Sequence, residues 1–219
     1  MSNQIKNQSQ ILQKMGIEQL NPMQNEAIDA IGESKEILIL SPTGTGKTLA
    51  FLLPLIQRLD PLLSVTQLLI IVPARELAIQ IEQVIRDMGT GYKVNAVYGG
   101  RSGSKEKIEL THAPTILVGT PGRIADHIRR DRITLSGIKS LVIDEFDKSL
   151  EIGFEKEMKE IVGSLYALDR KILTSATHKE EVPGFLKFGD PVKLDYLNTK
   201  SQILDLSWVH STQNTLDTL

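Results

Sequence analysis

Short runs of β-branched and leucine-rich residues recur along the chain, at 37–40, 68–72, 94–98, 115–118, 141–143, 171–174 and 192–194. Each is near-continuously apolar, as strands of a sheet covered on both faces must be. Between them the apolar residues return with helical spacing. Leu77, Ile81, Val84, Ile85 and Met88 form one stripe, and Phe154, Met158, Ile161, Val162 and Leu165 another. Both follow i, i+4, i+7, i+8, i+11, the signature of a helix with one buried face. Alternation of this kind predicts an α/β fold with a mostly parallel central sheet flanked by helices on both faces.

The pattern predicts one main domain over 21–202, an N-terminal flank with one helical stretch over 1–20, and a linker over 203–219. At 219 residues and 41% hydrophobic the chain is ample for one core. No window approaches the about 18 apolar residues of a membrane span, so a cytoplasmic protein without membrane contact is expected. There are no cysteines, which excludes disulfides and thiolate metal sites. A net charge of -2 and a pI near 6.1 do not announce a nucleic-acid binder, so any polyanion contact must be local.

In open parallel sheets ligands sit at the carboxyl ends of the strands, and the chemistry-bearing residues of this chain follow the strands directly. After the first strand comes Ser41-Pro42-Thr43-Gly44-Thr45-Gly46-Lys47-Thr48, then an apolar helix over 49–59 interrupted by Pro54. This is a phosphate-binding loop. Gly44 and Gly46 let backbone N–H groups turn inward, Lys47 supplies charge to the β and γ phosphates, and the Thr48 hydroxyl is a Mg2+ ligand. Ser41 stands where the strict pattern has glycine. The strand at 141–143 ends in Asp144-Glu145. Asp144 is the expected partner of Mg2+, and Glu145 the group that orients the attacking water. The expected cofactors are therefore ATP and Mg2+.

Six elements in order resemble the N-terminal RecA-like domain of DEAD-box RNA helicases. The signature tetrad is Asp144-Glu145-Phe146-Asp147, with Phe146 where the family has alanine. The others are Pro73-Ala74-Arg75-Glu76-Leu77-Ala78-Ile79-Gln80, Gly99-Gly100, Thr120-Pro121-Gly122-Arg123, Ser175-Ala176-Thr177, and a Q motif of Gly16-Ile17 with Leu20-Asn21-Pro22-Met23-Gln24. The resemblance implies that Gln24 reads adenine and that Arg75, Gly99, Gly100, Thr120, Gly122 and Arg123 contact RNA. It also implies that the Ser175 and Thr177 hydroxyls meet Asp147 and couple nucleotide to RNA. Ile17 replaces a phenylalanine, and Asn7 falls where the family stacks an aromatic on adenine.

The implied activity is ATP-dependent RNA unwinding shared with a second RecA-like domain of the same polypeptide. The fragment itself is expected to be monomeric and nearly inactive in hydrolysis. The same loop, acids and sheet also serve DNA helicases and nucleotide-dependent clamps.

Overall fold

The computed structural model describes residues 6–101, 103–178 and 181–198, so the linker expected over 203–219 lies outside the described residues. All seven predicted runs are strands: β1 (Glu36–Leu40), β2 (Leu68–Ile71), β3 (Val94–Val97), β4 (Ile116–Gly119), β5 (Ser140–Ile143), β6 (Arg170–Ser175) and β7 (Val192–Asp195). They form one sheet in the order β3-β4-β2-β5-β6-β1-β7. Every pairing is parallel. Helices α1 (Gln8–Lys14), α2 (Pro22–Glu33), α3 (Lys47–Ile56), α4 (Arg75–Met88), α5 (Gly103–Leu110), α6 (Pro121–Arg129), α7 (Phe146–Glu151) and α8 (Glu155–Ser164) connect them.

The continuous apolar runs serve two cores at once, because alternate strand residues point to opposite faces. Leu68, Ile70, Ile116, Val118, Val142 and Ile172 join one cluster with α1 to α4. Leu69, Ile71, Leu117, Leu141, Ile143 and Leu173 join the other, with residues of α6 to α8. This layout puts every loop that follows a strand on one edge, where the candidate residues gather.

Two helices show how tertiary context overrides local preference. The helix expected over 49–59 with a break at Pro54 is instead continuous, and begins at Lys47. Eight of its ten residues are buried, Pro54 among them. Packing on nearly every side therefore outweighs the hydrogen bond that Pro54 cannot donate. α2 carries no basic residue in its last turn. Its final carbonyls are met from elsewhere, Ile31 O by Arg170 Nη1 at 2.8 Å and Gly32 O by Arg58 Nη1 at 3.5 Å. Cations there also suit the helix dipole.

The outward carbonyls of edge strand β3 are likewise occupied, Val94 O by Arg86 Nη2 at 3.3 Å and Ala96 O by Arg101 Nη1 at 2.8 Å. Charged side chains on an edge discourage pairing with another chain.

The 1–20 flank contributes to the core through α1. Asn7 and Gln10 form a reciprocal capping box, and Ile11 is fully buried against the first cluster. Ile11→Ala is expected to cost about 3 kcal/mol in urea unfolding; a loss below about 0.5 kcal/mol would mean that α1 is an appendage.

Candidate nucleotide and nucleic-acid site

The phosphate loop leaves β1 and closes on itself. Gly44 and Gly46 have φ of 83° and 88°, in the left-handed region that favours glycine. Gly46 also lets Gln24 approach closely, since a Cβ there would lie 2.5 Å from Gln24 Nε2 and displace its amide. The departure at Ser41 has a local use: its hydroxyl pairs with Thr45 Oγ1 at 2.6 Å, and Thr45 Oγ1 reaches Pro42 O at 2.9 Å. Lys47 folds across the loop, donating to Ser41 O at 2.5 Å and Pro42 O at 2.9 Å. Burial pushes the Lys47 ammonium below its ordinary range, and the charges of Asp144, Glu145 and Asp147 oppose that. Those interactions place the lysine in the field of all three tetrad acids. Thr48 stands in the first turn of α3.

Gln24 is a strut of this loop. Its Oε1 accepts from Asn21 N at 3.0 Å and its Nε2 donates to Gly46 O at 3.3 Å. Asn21 caps α2 through Oδ1 and donates from Nδ2 to Thr45 O at 2.9 Å. An amide has two donors and two acceptor sites, so Gln24 retains one of each for a base edge. Asn7, at the position of the expected aromatic, instead starts α1.

The acids end β5, next to β6. Asp144 is buried, and Thr174 of β6 donates its hydroxyl to Asp144 Oδ1 while accepting from Glu145 N at 3.1 Å. Burial raises the Asp144 carboxyl to about 6, against the lowering effects of Thr174 and Lys47. Glu145 bends out of the strand with φ 51° and ψ 52°, a left-handed conformation that a glutamate adopts only under constraint. The coupling expectation needs one correction. Thr177 Oγ1 does reach Asp147 Oδ2, at 3.0 Å, but Ser175 does not. The Ser175 hydroxyl donates to Thr177 O at 2.8 Å and accepts from Thr177 N at 2.9 Å, because a local turn satisfies it first. Phe146 lies in the second core, away from this contact, and Asp147 keeps its place.

The other half of the edge carries the remaining residues. β2 and β4 are neighbours, so α4 and α6 start side by side. Neither Ala74 nor Thr120 caps its helix with a side chain, which leaves first-turn N–H groups to an anion. Gly99 and Gly100 are exposed in the turn after β3. Arg75 is exposed and paired with Glu76 at 2.5 Å. Arg123 is turned inward: Nε meets Glu106 Oε2 at 2.6 Å and Nη1 meets Asp126 Oδ2 at 3.1 Å.

Thr174, Asn21, Glu106 and His127 are absent from the sequence-based set. Asn21 lies in the Q motif, three residues before Gln24, and Thr174 directly precedes Ser175. Glu106 and His127 carry no local signal, since their meeting depends on α5 packing beside α6.

The profile of DEAD/DEAH box helicases matches residues 21–184. The chain belongs to this family. Among its relatives, the ATP-dependent RNA helicase DeaD of Escherichia coli is 38% identical over 174 residues, covering 78% of this chain and 28% of that protein. The ATP-dependent RNA helicase CshA of Listeria monocytogenes is 39% identical over 171 residues, covering 77% of this chain and 33% of that protein. The chain thus spans about a third of the length of these relatives. A crystal structure of a DEAD box protein from Methanococcus jannaschii superposes with a TM-score of 0.78 at 31% identity, over 87% of this chain and 53% of that one. A hypothetical ATP-dependent RNA helicase from Sulfolobus tokodaii gives 0.77 at 29% identity, over 86% and 56%. The RecA-like, DEAD-box fold inferred from the motifs is therefore the observed one.

Two stability measurements check this DEAD-box site. Asp144 holds its proton up to about 6 when folded, against an ordinary 3.8. Below both values it exerts no penalty. As pH rises between them the unfolded chain ionises first, so the folded state loses stability and carries the full cost at pH 7. Asp144→Asn should raise stability at pH 7 by on the order of 2–3 kcal/mol and flatten the decline between pH 4 and 6. An unchanged pH profile would show that the acid is not desolvated. Phe146→Ala, which installs the residue usual in the family, should cost about 3 kcal/mol by opening a cavity, and equal stability would contradict the packing of Phe146.

Proposed function

We propose that this chain is the ATP-binding motor domain of an ATP-dependent RNA helicase, hydrolysing ATP with Mg2+ and holding one RNA strand by its backbone. The observation that carries the reading is the division of one sheet edge. The phosphate loop, Ser175-Ala176-Thr177 and the acids follow β1, β6 and β5, which are contiguous. Arg75, Gly99, Gly100 and the Thr120–Arg123 segment follow β2, β3 and β4, also contiguous. A triphosphate and a polyanion would thus lie side by side, and β5 and β2 share the border.

On the nucleotide half, Gln24 offers one donor and one acceptor to adenine. The loop from Ser41 to Thr48 surrounds the phosphates, with Lys47 exchanging its two carbonyls for phosphate oxygens. Among the described residues no group of three or more His, Cys, Asp or Glu side chains is set to hold a metal. Thr48 and Asp144 fit a Mg2+ that takes its other oxygens from nucleotide and water, as that ion commonly does. Such an ion would neutralise charge on the β and γ phosphates. Glu145, projected by its left-handed backbone, accepts a proton from the attacking water. Asp147 and Thr177 tie the tetrad to the end of β6.

On the RNA half, open helix starts and arginines bind phosphates without reading bases. A second RecA-like domain would supply the cation that stabilises transferred charge, and closure of two domains on bent RNA would separate short duplexes.

The test is ATP turnover by the full-length protein with and without RNA. Single-stranded RNA should stimulate it and single-stranded DNA should not. Glu145→Gln should reduce it about 100-fold or more, and the 219-residue chain alone should turn over at least about 1000-fold more slowly for want of the second domain's cation. Turnover indifferent to RNA, or undiminished by Glu145→Gln, would overturn the reading.

A further inference from the structure

The buried ion cluster between α5 and α6 is not used by the nucleotide chemistry. Glu106 is fully buried, and its Oε2 receives both Arg123 Nε at 2.6 Å and His127 Nε2 at 2.9 Å. Three atoms of this cluster, Glu106 Oε1, Arg123 Nη2 and His127 Nδ1, are buried without a hydrogen-bond partner among the described residues. A carboxylate in a dry site needs a cation or several donors, and here one oxygen serves two partners while the other serves none. The guanidinium is no better off, with one arm spent on Asp126 and one arm idle. Both members therefore gain from rearrangement, and the segment holding Arg123 faces the proposed backbone-binding half of the edge.

We propose that Glu106 is an internal competitor for Arg123, a latch that an RNA phosphate opens while His127 takes up a proton and remains as the carboxylate's partner. The inference rests on the RNA-binding reading above. Once Arg123 swings to a phosphate, Glu106 keeps only His127, and a neutral imidazole cannot compensate a buried charge. One proton from solvent onto His127 restores the balance, and no other group need change its charge.

The surroundings agree in sign. Burial, Arg123 and Arg132 all hold His127 below its ordinary range, and only Glu106 pulls it upward. Departure of Arg123 removes one of the lowering influences, so the RNA-bound form attracts the proton more strongly. Asp126, on the same helix, pairs with Arg123 and Arg130, and Glu160 of α8 is taken by Arg129. Gly103, at the start of α5, makes room for the idle arm: a Cβ there would stand 3.2 Å from Arg123 Nη2.

The experiment is RNA binding by the full-length protein as a function of pH and salt, for wild type, Glu106→Gln, Arg123→Gln and the double variant. Glutamine keeps an acceptor for Arg123 but removes the charge. Glu106→Gln should bind single-stranded RNA severalfold more tightly at pH 7.5 and lose the strengthening that wild type shows between pH 7.5 and 6. Arg123→Gln should lower the salt dependence by about one released counterion and abolish every difference between the two backgrounds. Nuclear magnetic resonance of the imidazole should show His127 gaining a proton when RNA is added to wild type at pH 7. RNA bound by all variants with identical pH profiles would overturn the latch and leave RNA binding standing. No RNA bound by wild type or Glu106→Gln would overturn the RNA reading and the latch with it. If Glu106→Gln lowers the melting temperature, Glu106→Asp serves as a control: it keeps the charge and should retain the pH dependence.

Discussion

Parallel pairing of β6 with both β1 and β5 is the constraint on which the site depends. Leu40 is level with Ser175, and Ile143 with Leu173. The next residue of β5, Asp144, therefore arrives beside Thr174. Both follow the parity of Val142 and Ile172, which face the cluster containing α3. The acid is thus delivered to the face from which Lys47 rises. A slip of one residue would send Thr174 to the opposite face and leave a buried carboxylate with no hydroxyl. Register, more than any single contact, makes the phosphate loop and the acids one site.

Much of this was legible because motifs that follow strands are read in one dimension. The runs at 37–40 and 141–143 announced the strands, and Lys47, Asp144 and Glu145 came directly after them. What stayed hidden depended on neighbours distant in sequence. Pro54 looked like a break, yet α3 is buried on almost every side and continues through it. Ser175 looked like a partner of Asp147, but a turn two residues long captured its hydroxyl. Glu106 and His127 lie 21 positions apart, with no periodic relation between them. Phe146 stands where the family has alanine, and as the residue after Glu145 it begins α7 and faces the second core. Its bulk is absorbed where apolar volume is favourable, and Asp147, one position on, meets Thr177 regardless.

Helix starts left without side-chain caps occur on both halves of the edge, since α3 at Gly46 and α7 at Glu145 lack them as α4 and α6 do. α2 opens on Asn21, whose side chain satisfies the first turn and ties the phosphate loop. α4 and α6 open on Ala74 and Thr120 without side-chain caps, which leaves donors exposed beside Arg75 and Gly122. A fold optimised only for stability would close those ends, since a cap contributes about 1 kcal/mol. Two neighbouring helices open on the same edge offer their first-turn donors to an anion.

Binding on either half is then an exchange of partners. Lys47 already donates to two loop carbonyls, and Arg123 to two carboxylates. A phosphate gains only the difference between what it offers these cations and what they give up, so affinity is set as much by the internal partner as by the ligand. For Lys47 the partners released are neutral carbonyls, easily turned to solvent. For Arg123 one of them is a buried carboxylate that must be compensated where it stands. On the proposed reading, release of Lys47 would need no change of protonation, whereas release of Arg123 would, because Glu106 is buried beside His127.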